Sequence, residues 1–480
     1  MMDGPRITLL SSLDAKLRSF LEADPRGNER AAMVLFQRHH FVVPDLAVSD
    51  RYVAVDVIPM EEPWVTGSSP THVSFNLGPL REILRRCEED GLALGFAHNH
   101  PTGYEAFSEI DSANERALLE ALSNRNGGHV NLVALLLANG TWKGRVRSSS
   151  APNFPVPARH IAIIGSRIQL GSFAQQDTTG FRSRQAAAFG QPFVEALASL
   201  RVGVIGASGT GSPVITLLAR AGVGEILIID NDCLDETNLN RVRGARKSDV
   251  GEYKADVLAR FVDALGLPVK TASMQSLIDV SPDAVDALST CDVVFGCTDD
   301  QLGRQLLNSA LYAFAFPLID LGLGGHVTEK DEDAVLRSHF GRISVIFPEF
   351  GECLFCQGVL REVWIRHQEA LRENPALTEE QARERYLEGG GEGAPGVGPF
   401  TSATADFGVA TLFDLLKPFR RFPAAVRKDQ FFIDFVNMEI NSRGQKGDFD
   451  CPYCGAHEFT NLNSSHRLGR PSLGRRTVHV

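Results

Sequence analysis

Three residues near position 100 have the types and spacing of a zinc site. His98 and His100 are one residue apart at the end of an apolar run, and Asp111 opens the helix predicted to follow. Side chains alternate along a strand with period two, so both imidazoles can point to the same side. Two histidines and one carboxylate leave the fourth position of a Zn²⁺ ion for water, which is the catalytic arrangement. The pattern predicts a hydrolytic zinc.

Hydrolysis at such a zinc also needs a base for the water and a hydrogen-bond donor for the oxyanion. Ser108, three residues before Asp111, is placed for the second role. The alternative is that His98 and His100 are ordinary histidines and that the tetrad from Ser108 to Asp111 is a helix-capping motif. The histidine pair and the tetrad occur together after an apolar strand, and this combination favours the metal site.

A glycine-rich turn follows a second apolar run and opens a helix. Residues 202–212 read VGVIGASGTGS. Glycines let the backbone approach phosphates, and the amino end of a helix favours their charge. Alone, such a turn could bind NAD, FAD or no ligand. Its candidate nucleotide contacts are Gly206, Ser208, Gly209 and Gly211.

The residues after this turn favour ATP. The next predicted strand ends in Asp230, and an acid there suits a ribose hydroxyl. A dehydrogenase does not need Arg241 and Lys254 at these positions, whereas two cations would stabilise the charge that develops as pyrophosphate leaves. A further strand ends in the sequence CTDD at 297–300, where a carboxylate, Asp299 or Asp300, could hold Mg²⁺ between phosphates. The other candidate contacts are Asp232 and Asn238.

Two C-x-x-C pairs, at 353–356 and 451–454, indicate a third site. In a reducing compartment such pairs point to a metal before they point to disulfides. Four thiolates would form a closed, tetrahedral, structural zinc site. The alternative is four unrelated thiols or a redox pair. The candidate ligands are Cys353, Cys356, Cys451 and Cys454.

Composition limits the classes of partner and the compartment. The net charge of −11 argues against a general nucleic-acid or membrane-surface binder, since either would need a positive field. The chain lacks an uncharged apolar window of about 18 residues, and its N-terminus lacks the apolar core of a signal peptide. We therefore expect a cytoplasmic protein that spans no membrane.

The length of 480 residues favours two to four domains. In residues 1–150, short apolar runs alternate with helical patterns, which predicts an α/β domain. Residues 151–180 begin with a stretch rich in Ser, Pro and Ala and are predicted to be a linker. From residue 181 to 480 the order strand, glycine turn, helix and strand predicts a doubly wound sheet. Residues 361–398 are charged and then glycine-rich, which is typical of a mobile insertion.

The spacing of the first site resembles the JAMM (JAB/MPN) metalloprotease family, whose H-x-H and S-x-x-D pattern is matched completely. Members of that family hydrolyse isopeptide or peptide bonds at the C-terminus of ubiquitin-like proteins. Their general base is a glutamate at the start of the first strand. By position, Glu29 is the best match here, and Glu61 and Glu62 are weaker candidates.

Residues from about 180 to 460 resemble the ThiF/MoeB/HesA adenylyltransferases, which are related to ubiquitin-activating enzymes. The resemblance implies that Asp230 binds the ribose, that Arg241 and Lys254 bind phosphates, and that Asp299 binds Mg²⁺. The sequence FRSRQ resembles the opening motif of the family, in which the last arginine reaches the nucleotide of the partner subunit. Arg184 therefore implies a homodimer.

Two further features are compared with the same family. Its C-terminal subdomain is held by a Cys₄ zinc, which implies that role for the two cysteine pairs. Ser208 stands where the family usually has glycine, and the cost should be modest if its φ angle stays below zero. Many relatives carry a nucleophilic cysteine between the two pairs. Since none lies between Cys356 and Cys451, we expect adenylation followed by direct transfer to a separate acceptor.

The leading hypothesis is an α/β protein in which a JAMM-type domain precedes a Rossmann-like adenylation domain with a Cys₄ zinc subdomain. It would serve a prokaryotic ubiquitin-like system, adenylating the C-terminus of a ubiquitin-like protein with MgATP and hydrolysing its C-terminal bonds. It would use ATP, Mg²⁺, one catalytic zinc and one structural zinc, with a separate conjugating protein as a further partner. The alternative is adenylation and sulfur transfer on a carrier protein in cofactor or natural-product biosynthesis. A third hypothesis, a scaffold with decayed sites, conflicts with the intact ligand sets.

Overall fold

Two large mixed sheets, one in each half of the chain, organise the protein. The computed structural model describes residues 4–48, 50–61, 63–171, 180–330, 333–373, 396–421, 429–444, 450–455, 466–468 and 470–471. Within these ranges no helix is both long enough and apolar enough to cross a membrane. The fold is mixed α/β in both halves, as the sequence predicts.

The N-terminal half contains nine strands of one sheet and a separate two-stranded hairpin. The strands are β1 (Arg6–Leu10), β2 (Ala31–His39), β3 (Arg51–Pro59), β4 (Val65–Ser69), β5 (His72–Phe75), β6 (Ala93–Asn99), β7 (Asn131–Ala138), β8 (Thr141–Ser148), β9 (Val156–Pro157), β10 (His160–Ile164) and β11 (Ile168–Gly171). The order in the large sheet is β11-β10-β1-β3-β2-β6-β7-β8-β9, and β4 and β5 pair with each other. The helices are α1 (Ser11–Leu21), α2 (Leu80–Asp90) and α3 (Glu109–Asn126).

The predicted linker at 151–180 is wrong over most of its described part. Strands β9, β10 and β11 lie within it, and β10 pairs in parallel with β1 along its whole length. The reason is that the buried run His160–Ile164 finds its partner about 150 residues away, at Arg6–Leu10, so no local pattern announces the pairing. Residues 172–179 lie outside the described ranges.

The C-terminal half is built on an eight-stranded sheet. Its strands are β12 (Arg201–Ile205), β13 (Glu225–Ile229), β14 (Lys270–Met274), β15 (Val293–Gly296), β16 (Leu318–Lys330), β17 (Asp333–Ile346), β18 (Gln430–Asp434) and β19 (Glu439–Arg443). Their order is β14-β13-β12-β15-β16-β17-β18-β19, and the first five are mutually parallel. If these five strands are numbered by their order in the chain, they lie in the sheet as 3-2-1-4-5, so the strand order reverses between β12 and β15. In doubly wound sheets, ligands bind at the carboxyl ends of the strands at this point.

Helices cover both faces of the parallel strands. They are α4 (Ser183–Phe189), α5 (Gln191–Ser199), α6 (Gly211–Ala221), α7 (Lys254–Asp263), α8 (Pro282–Ser289), α9 (Gln301–Phe314), α10 (Glu362–Glu373) and α11 (Gly398–Leu416). Helix α6 is almost wholly buried and packs against α7 and α11. The predicted insertion at 361–398 thus begins with a helix, α10, which packs on α9. Residues 374–395 of that insertion lie outside the described ranges.

The two halves are joined by a buried cluster of charges. Arg6 Nη2, at the start of β1, donates to Glu225 Oε2 at the start of β13 over 2.7 Å. Arg201 Nε donates to the same oxygen at 2.7 Å, and His160 Nε2 lies 3.1 Å from Asp292 Oδ1. All five side chains are at most 3% exposed. The interface therefore lies at the amino ends of the parallel strands of the second sheet.

The charges in this cluster compensate one another. Burial alone would raise the pKa of Glu225, but the charges of Arg6 and Arg201 lower it to about 2. Burial would likewise raise the pKa of Asp292, and His160 and Arg6 hold it well below its usual range. Both carboxylates therefore stay ionised across the neutral pH range and balance the buried arginines.

Two further contacts fix the relative placement of the halves. Arg51, fully buried at the start of β3, donates to the backbone oxygens of Phe314 at 2.5 Å and Ala315 at 2.8 Å. At the other end of β1, Ser11 Oγ donates to Glu349 Oε2 at 2.8 Å. Because Arg6 and Ser11 bracket β1, this strand runs along the amino edge of the second sheet.

We predict that Asp292→Ala destabilises both halves together. It would leave Arg6 and Arg51 without their nearest shared counter-charge, and breaking a buried ion pair from one side costs about 3–5 kcal/mol. Chemical denaturation followed by far-UV circular dichroism measures the free energy of unfolding. The matched control, Glu82→Ala, removes an exposed ion pair with Arg85 and should leave the transition in place. Equal stability of the two variants would contradict the structural role of the cluster.

Candidate functional sites

The two histidines and the aspartate of the predicted zinc site lie together at the carboxyl end of β6. One ligand atom from each of His98, His100 and Asp111 lies within 4.8 Å of the others, and all three residues are buried. His98 Nε2 is 3.0 Å from Asp111 Oδ1, and His100 Nε2 is 3.4 Å from Asp111 Oδ2. Two imidazoles and one carboxylate are a donor set that fits a zinc ion with an open position.

Local structure orients each of these ligands. Ser108 is the N-cap of α3: its Oγ accepts from the backbone N–H of Asp111 at 3.1 Å, and its own N–H donates to Asp111 Oδ2 at 2.6 Å. His100 Nδ1 donates to the backbone oxygen of Tyr104 at 2.8 Å, which leaves Nε2 free to bind a metal. The capping role considered for Ser108 is therefore realised, and its hydroxyl hydrogen remains available for another acceptor.

Glu29 is the predicted base that lies beside this cluster. Its Oε1 is 3.7 Å from His100 Nε2, and the side chain is 2% exposed. Its backbone is held by the hairpin β4–β5, since its N–H donates to Ser69 O at 2.8 Å and Ser68 Oγ donates to its oxygen at 2.7 Å. Burial raises the pKa of Glu29 to about 7, although the charge of His100 opposes this. Such a carboxyl could exchange a proton near neutral pH.

The weaker candidates for the base are placed differently. Glu61 is exposed just after β3, and Glu62 lies outside the described ranges. No sequence pattern singles out Tyr104, whose contribution is a backbone oxygen, or Phe96, whose ring stacks on His98 with 5.3 Å between centroids.

The four cysteines of the two C-x-x-C pairs also lie together. The distance between sulfur atoms is 3.8 Å from Cys353 to Cys356, 3.6 Å from Cys353 to Cys451 and 3.5 Å from Cys356 to Cys454. Sulfurs about 2.3 Å from a tetrahedral zinc would be about 3.8 Å apart. The group could therefore bind a structural zinc.

A cavity of about 910 Å³ opens at the carboxyl ends of the parallel strands, at the point where the strand order reverses. Nearly all the predicted nucleotide contacts line it. They are Gly206, Ser208, Gly209, Asp230, Asp232, Asn238, Arg241, Lys254 and Asp299.

The glycine turn is shaped by close backbone packing. Gly206 has a φ angle of +93°, which other residues rarely adopt. A Cβ atom on Gly211 would lie 1.8 Å from the oxygen of Gly206, so Gly211, which does not line the cavity, keeps α6 close to the strand end. Ser208 is absent from the described residues with positive φ, which agrees with the modest cost expected for replacing a glycine there.

Asp230 and Lys254 are held at the end of β13. Asp230 Oδ2 accepts from the N–H of Ala207 at 2.6 Å, and Oδ1 accepts from Asp232 N–H at 2.8 Å. Burial raises the pKa of Asp230, and these two hydrogen bonds oppose the rise. Lys254 Nζ lies 2.8 Å from Asp232 Oδ2, with 7% of its side chain exposed. A buried ammonium and two carboxylates thus flank the space beside the glycine turn.

Arg241 and Asp299 face the cavity from opposite sides. Arg241 Nη1 donates to backbone oxygen Thr237 O at 2.9 Å and to Asn240 Oδ1 at 3.1 Å, so no carboxylate neutralises it through these bonds. Asn238 supports this turn, because its Oδ1 accepts from the N–H of Asp235 at 3.2 Å. Asp299 is exposed, and within the described ranges it forms no hydrogen bond or ion pair.

Arg184, like Gly211, is a predicted residue of the nucleotide site that does not line the cavity. It is exposed on α4 and does not line the cavity of its own chain. Arg304 on α9 and three residues of α10 also line the cavity, although no sequence motif singles them out. The three α10 residues are Trp364, Gln368 and Arg372. These three residues are four positions apart, so they lie on one face of a helix. This spacing is visible in the sequence, but the prediction of a mobile insertion does not use it.

Comparisons with known proteins bear on the second half of the chain. The Haloferax volcanii "SAMP-activating enzyme E1" is 36% identical over 123 residues, 26% of this chain and 45% of that protein. The Escherichia coli "Sulfur carrier protein ThiS adenylyltransferase" is 32% identical over 127 residues, 26% of this chain and 50% of that protein. The Yarrowia lipolytica "Adenylyltransferase and sulfurtransferase UBA4" is 35% identical over 124 residues, 26% and 31% of the two chains. This chain therefore spans half or less of the length of these relatives.

Among solved structures, Escherichia coli MccB with ATP matches over 58% of this chain and 75% of the MccB chain. The sequence identity is 20% and the TM-score is 0.42, and we draw no conclusion from this likeness. The sequence profile of the ThiF family matches residues 182–449, which is more than half of the chain. The chain belongs to the ThiF family.

Proposed function

We propose that the C-terminal half uses MgATP to adenylate the C-terminal carboxylate of a small carrier protein. The main support for this proposal is the cavity at the point where the strand order reverses. It is lined by the glycine turn, Asp230, Arg241, Lys254 and Asp299. Phosphates would lie along the glycine turn and the amino end of α6, where backbone N–H groups favour negative charge.

The proposed reaction is a displacement at the α-phosphorus. A carboxylate oxygen of the carrier forms the new bond, the bond to the β-phosphate oxygen breaks, and pyrophosphate leaves. Arg241 and Lys254 would offset the charge that develops on the departing phosphates. A Mg²⁺ ion held by Asp299 would screen the charge between phosphates. Arg184 of a second copy would complete the site in a homodimer, as the family resemblance implies.

The names of the relatives bear on the choice of substrate. Two of those described above name a sulfur carrier or a sulfurtransferase. These names favour adenylation of a sulfur-carrier protein over adenylation of a ubiquitin-like protein, which is the leading hypothesis from the sequence. Since no cysteine lies between Cys356 and Cys451, the sulfur atom or final acceptor would come from a separate protein.

ATP–pyrophosphate exchange tests this function. Labelled pyrophosphate should enter ATP only when Mg²⁺ and a carrier protein ending in Gly-Gly are both present, because the exchange requires a reversible acyl adenylate. The same carrier lacking its last two residues is the matched control. Exchange that proceeds equally with both carriers would contradict the assignment of the carboxylate as the nucleophile.

A second function, zinc-dependent hydrolysis of a peptide or isopeptide bond, is favoured for the N-terminal half by the cluster of His98, His100, Asp111 and Glu29. A zinc ion held there would supply a Lewis acid that activates water. Glu29 would accept the proton of that water and pass it to the leaving amine. Ser108 would donate a hydrogen bond to the oxyanion, completing a JAMM-type site.

We predict two zinc ions per chain, because the histidine–aspartate and Cys₄ groups are separate and chemically different. A chelator should remove the zinc of the open site first, since its ligands include a single carboxylate and its fourth position faces solvent. Inductively coupled plasma mass spectrometry after gentle purification measures the content. One zinc or none per chain would contradict the prediction.

Glu29→Ala should abolish hydrolysis and retain zinc. Loss of the general base is expected to slow cleavage of a carrier fusion by about 10²-fold or more, without ATP dependence. Glu61→Ala is the matched control, since Glu61 is exposed. Cleavage rates and zinc content are measured on the same samples. Loss of cleavage with Glu61→Ala and not with Glu29→Ala would overturn the assignment of the base.

Arg184→Ala and Asp299→Ala should each abolish pyrophosphate exchange as homodimers, and mixing the two chains should restore part of it. In the mixed dimer, one site keeps its own Asp299 and receives an intact Arg184 from its neighbour. Tandem affinity purification of differently tagged chains isolates that species for the exchange measurement. A verified mixed dimer without activity would refute the arrangement in trans.

A further inference from the structure

Asp299 directly precedes the N-cap of α9, and the N–H groups of residues 300–304 are all bonded to a side chain or to the helix itself. Asp300 Oδ2 accepts from the N–H of Gly303 at 2.7 Å, and Thr298 Oγ1 accepts from that of Asp300 at 3.1 Å. Arg304 N–H donates to the backbone oxygen of Asp300 at 3.1 Å. These contacts come from within the turn and leave the N–H groups of residues 301 and 302 to be satisfied from elsewhere.

Helix α10 supplies the missing acceptor. Gln368 Oε1 accepts from the N–H of Gln301 at 2.7 Å and from that of Leu302 at 3.2 Å. An amide side chain that bonds two N–H groups at the amino end of a helix acts as a cap supplied from another part of the chain. The amino end of α9 is thereby filled, so the phosphates of a nucleotide would be left to the glycine turn and α6.

The same helix neutralises the carboxylates next to Asp299. Arg372 Nη2 lies 3.2 Å from Asp300 Oδ2, and Arg372 Nη1 forms an ion pair with Asp279. Asp300 lines the cavity, so without this guanidinium its uncompensated carboxylate would stand beside a triphosphate and repel it. Asp299 remains exposed and without a partner among the described residues.

We propose that Gln368 and Arg372 are positioning residues of the Mg²⁺ site. They hold the turn that follows β15 and neutralise Asp279 and Asp300, so that Asp299 is the carboxylate of this turn that is left to face the cation. The start of the insertion is thus one wall of the reaction site. The inference rests on the proposed adenylation function and assigns a role to α10 within it.

Isothermal titration calorimetry of the full chain, with a methylene-bridged ATP analogue at saturating Mg²⁺, tests this role. Arg372→Ala should weaken binding about fivefold, the upper range for a partly exposed ion pair. Arg372→Lys keeps the charge and should bind more tightly than Arg372→Ala, but more weakly than the unmodified protein, because one ammonium does not pair with Asp279 and Asp300 as the guanidinium does. Arg366→Ala, on the exposed face of the same helix, is the matched control and should bind normally. Gln368→Ala should also weaken binding, because two N–H groups lose their acceptor.

A charge rescue separates this account from a merely structural role. Asp300→Asn combined with Arg372→Ala should restore binding to within about twofold, because asparagine keeps the N-cap bond and no longer needs a counter-charge. Unchanged binding in Arg372→Ala, or a double variant as weak as the single one, would overturn the inference. If Arg372→Ala unfolds, the lysine and double variants decide. Absence of analogue binding by the unmodified protein would instead overturn the proposed function, and this inference with it.

Discussion

The buried ion cluster between the two halves sets the geometry of everything else. Arg6, His160, Arg201, Glu225 and Asp292 are all at most 3% exposed, and their opposite charges balance. Separating the halves would leave charges without partners in an apolar surround, at a cost of several kcal/mol for each ion. One hydrophobic cluster also contains residues from both halves. The ion cluster therefore joins the two halves directly, and one of its members, His160, lies in the segment that the sequence predicts to be a linker.

This arrangement separates the two candidate sites. Because the interface covers the amino ends of the parallel strands, the nucleotide cavity is left at their carboxyl ends, facing away from the N-terminal half. The cleft beside His100 and the nucleotide cavity have no lining residue in common.

Chemistry was easier to predict than placement. The pair His98 and His100, the glycine turn and the C-x-x-C pairs are each local in the sequence, so their spacing alone indicates their chemistry. Strand β10 and helix α10 could not be placed, because their partners lie far along the chain and charged residues concealed the packed face of α10. The ion cluster was missed for a related reason: its charges are scattered singly, and only the fold brings them together.

The central claim is that the carboxyl-end cavity binds MgATP for attack by a protein carboxylate. A crystal structure with Mg²⁺ and the methylene-bridged ATP analogue tests it most directly. The account predicts a triphosphate along residues 206–211, a ribose hydroxyl on Asp230, and Mg²⁺ bound by Asp299, with the α-phosphate open to the cavity. A nucleotide bound elsewhere, or bound with its α-phosphate enclosed by the chain, would contradict it.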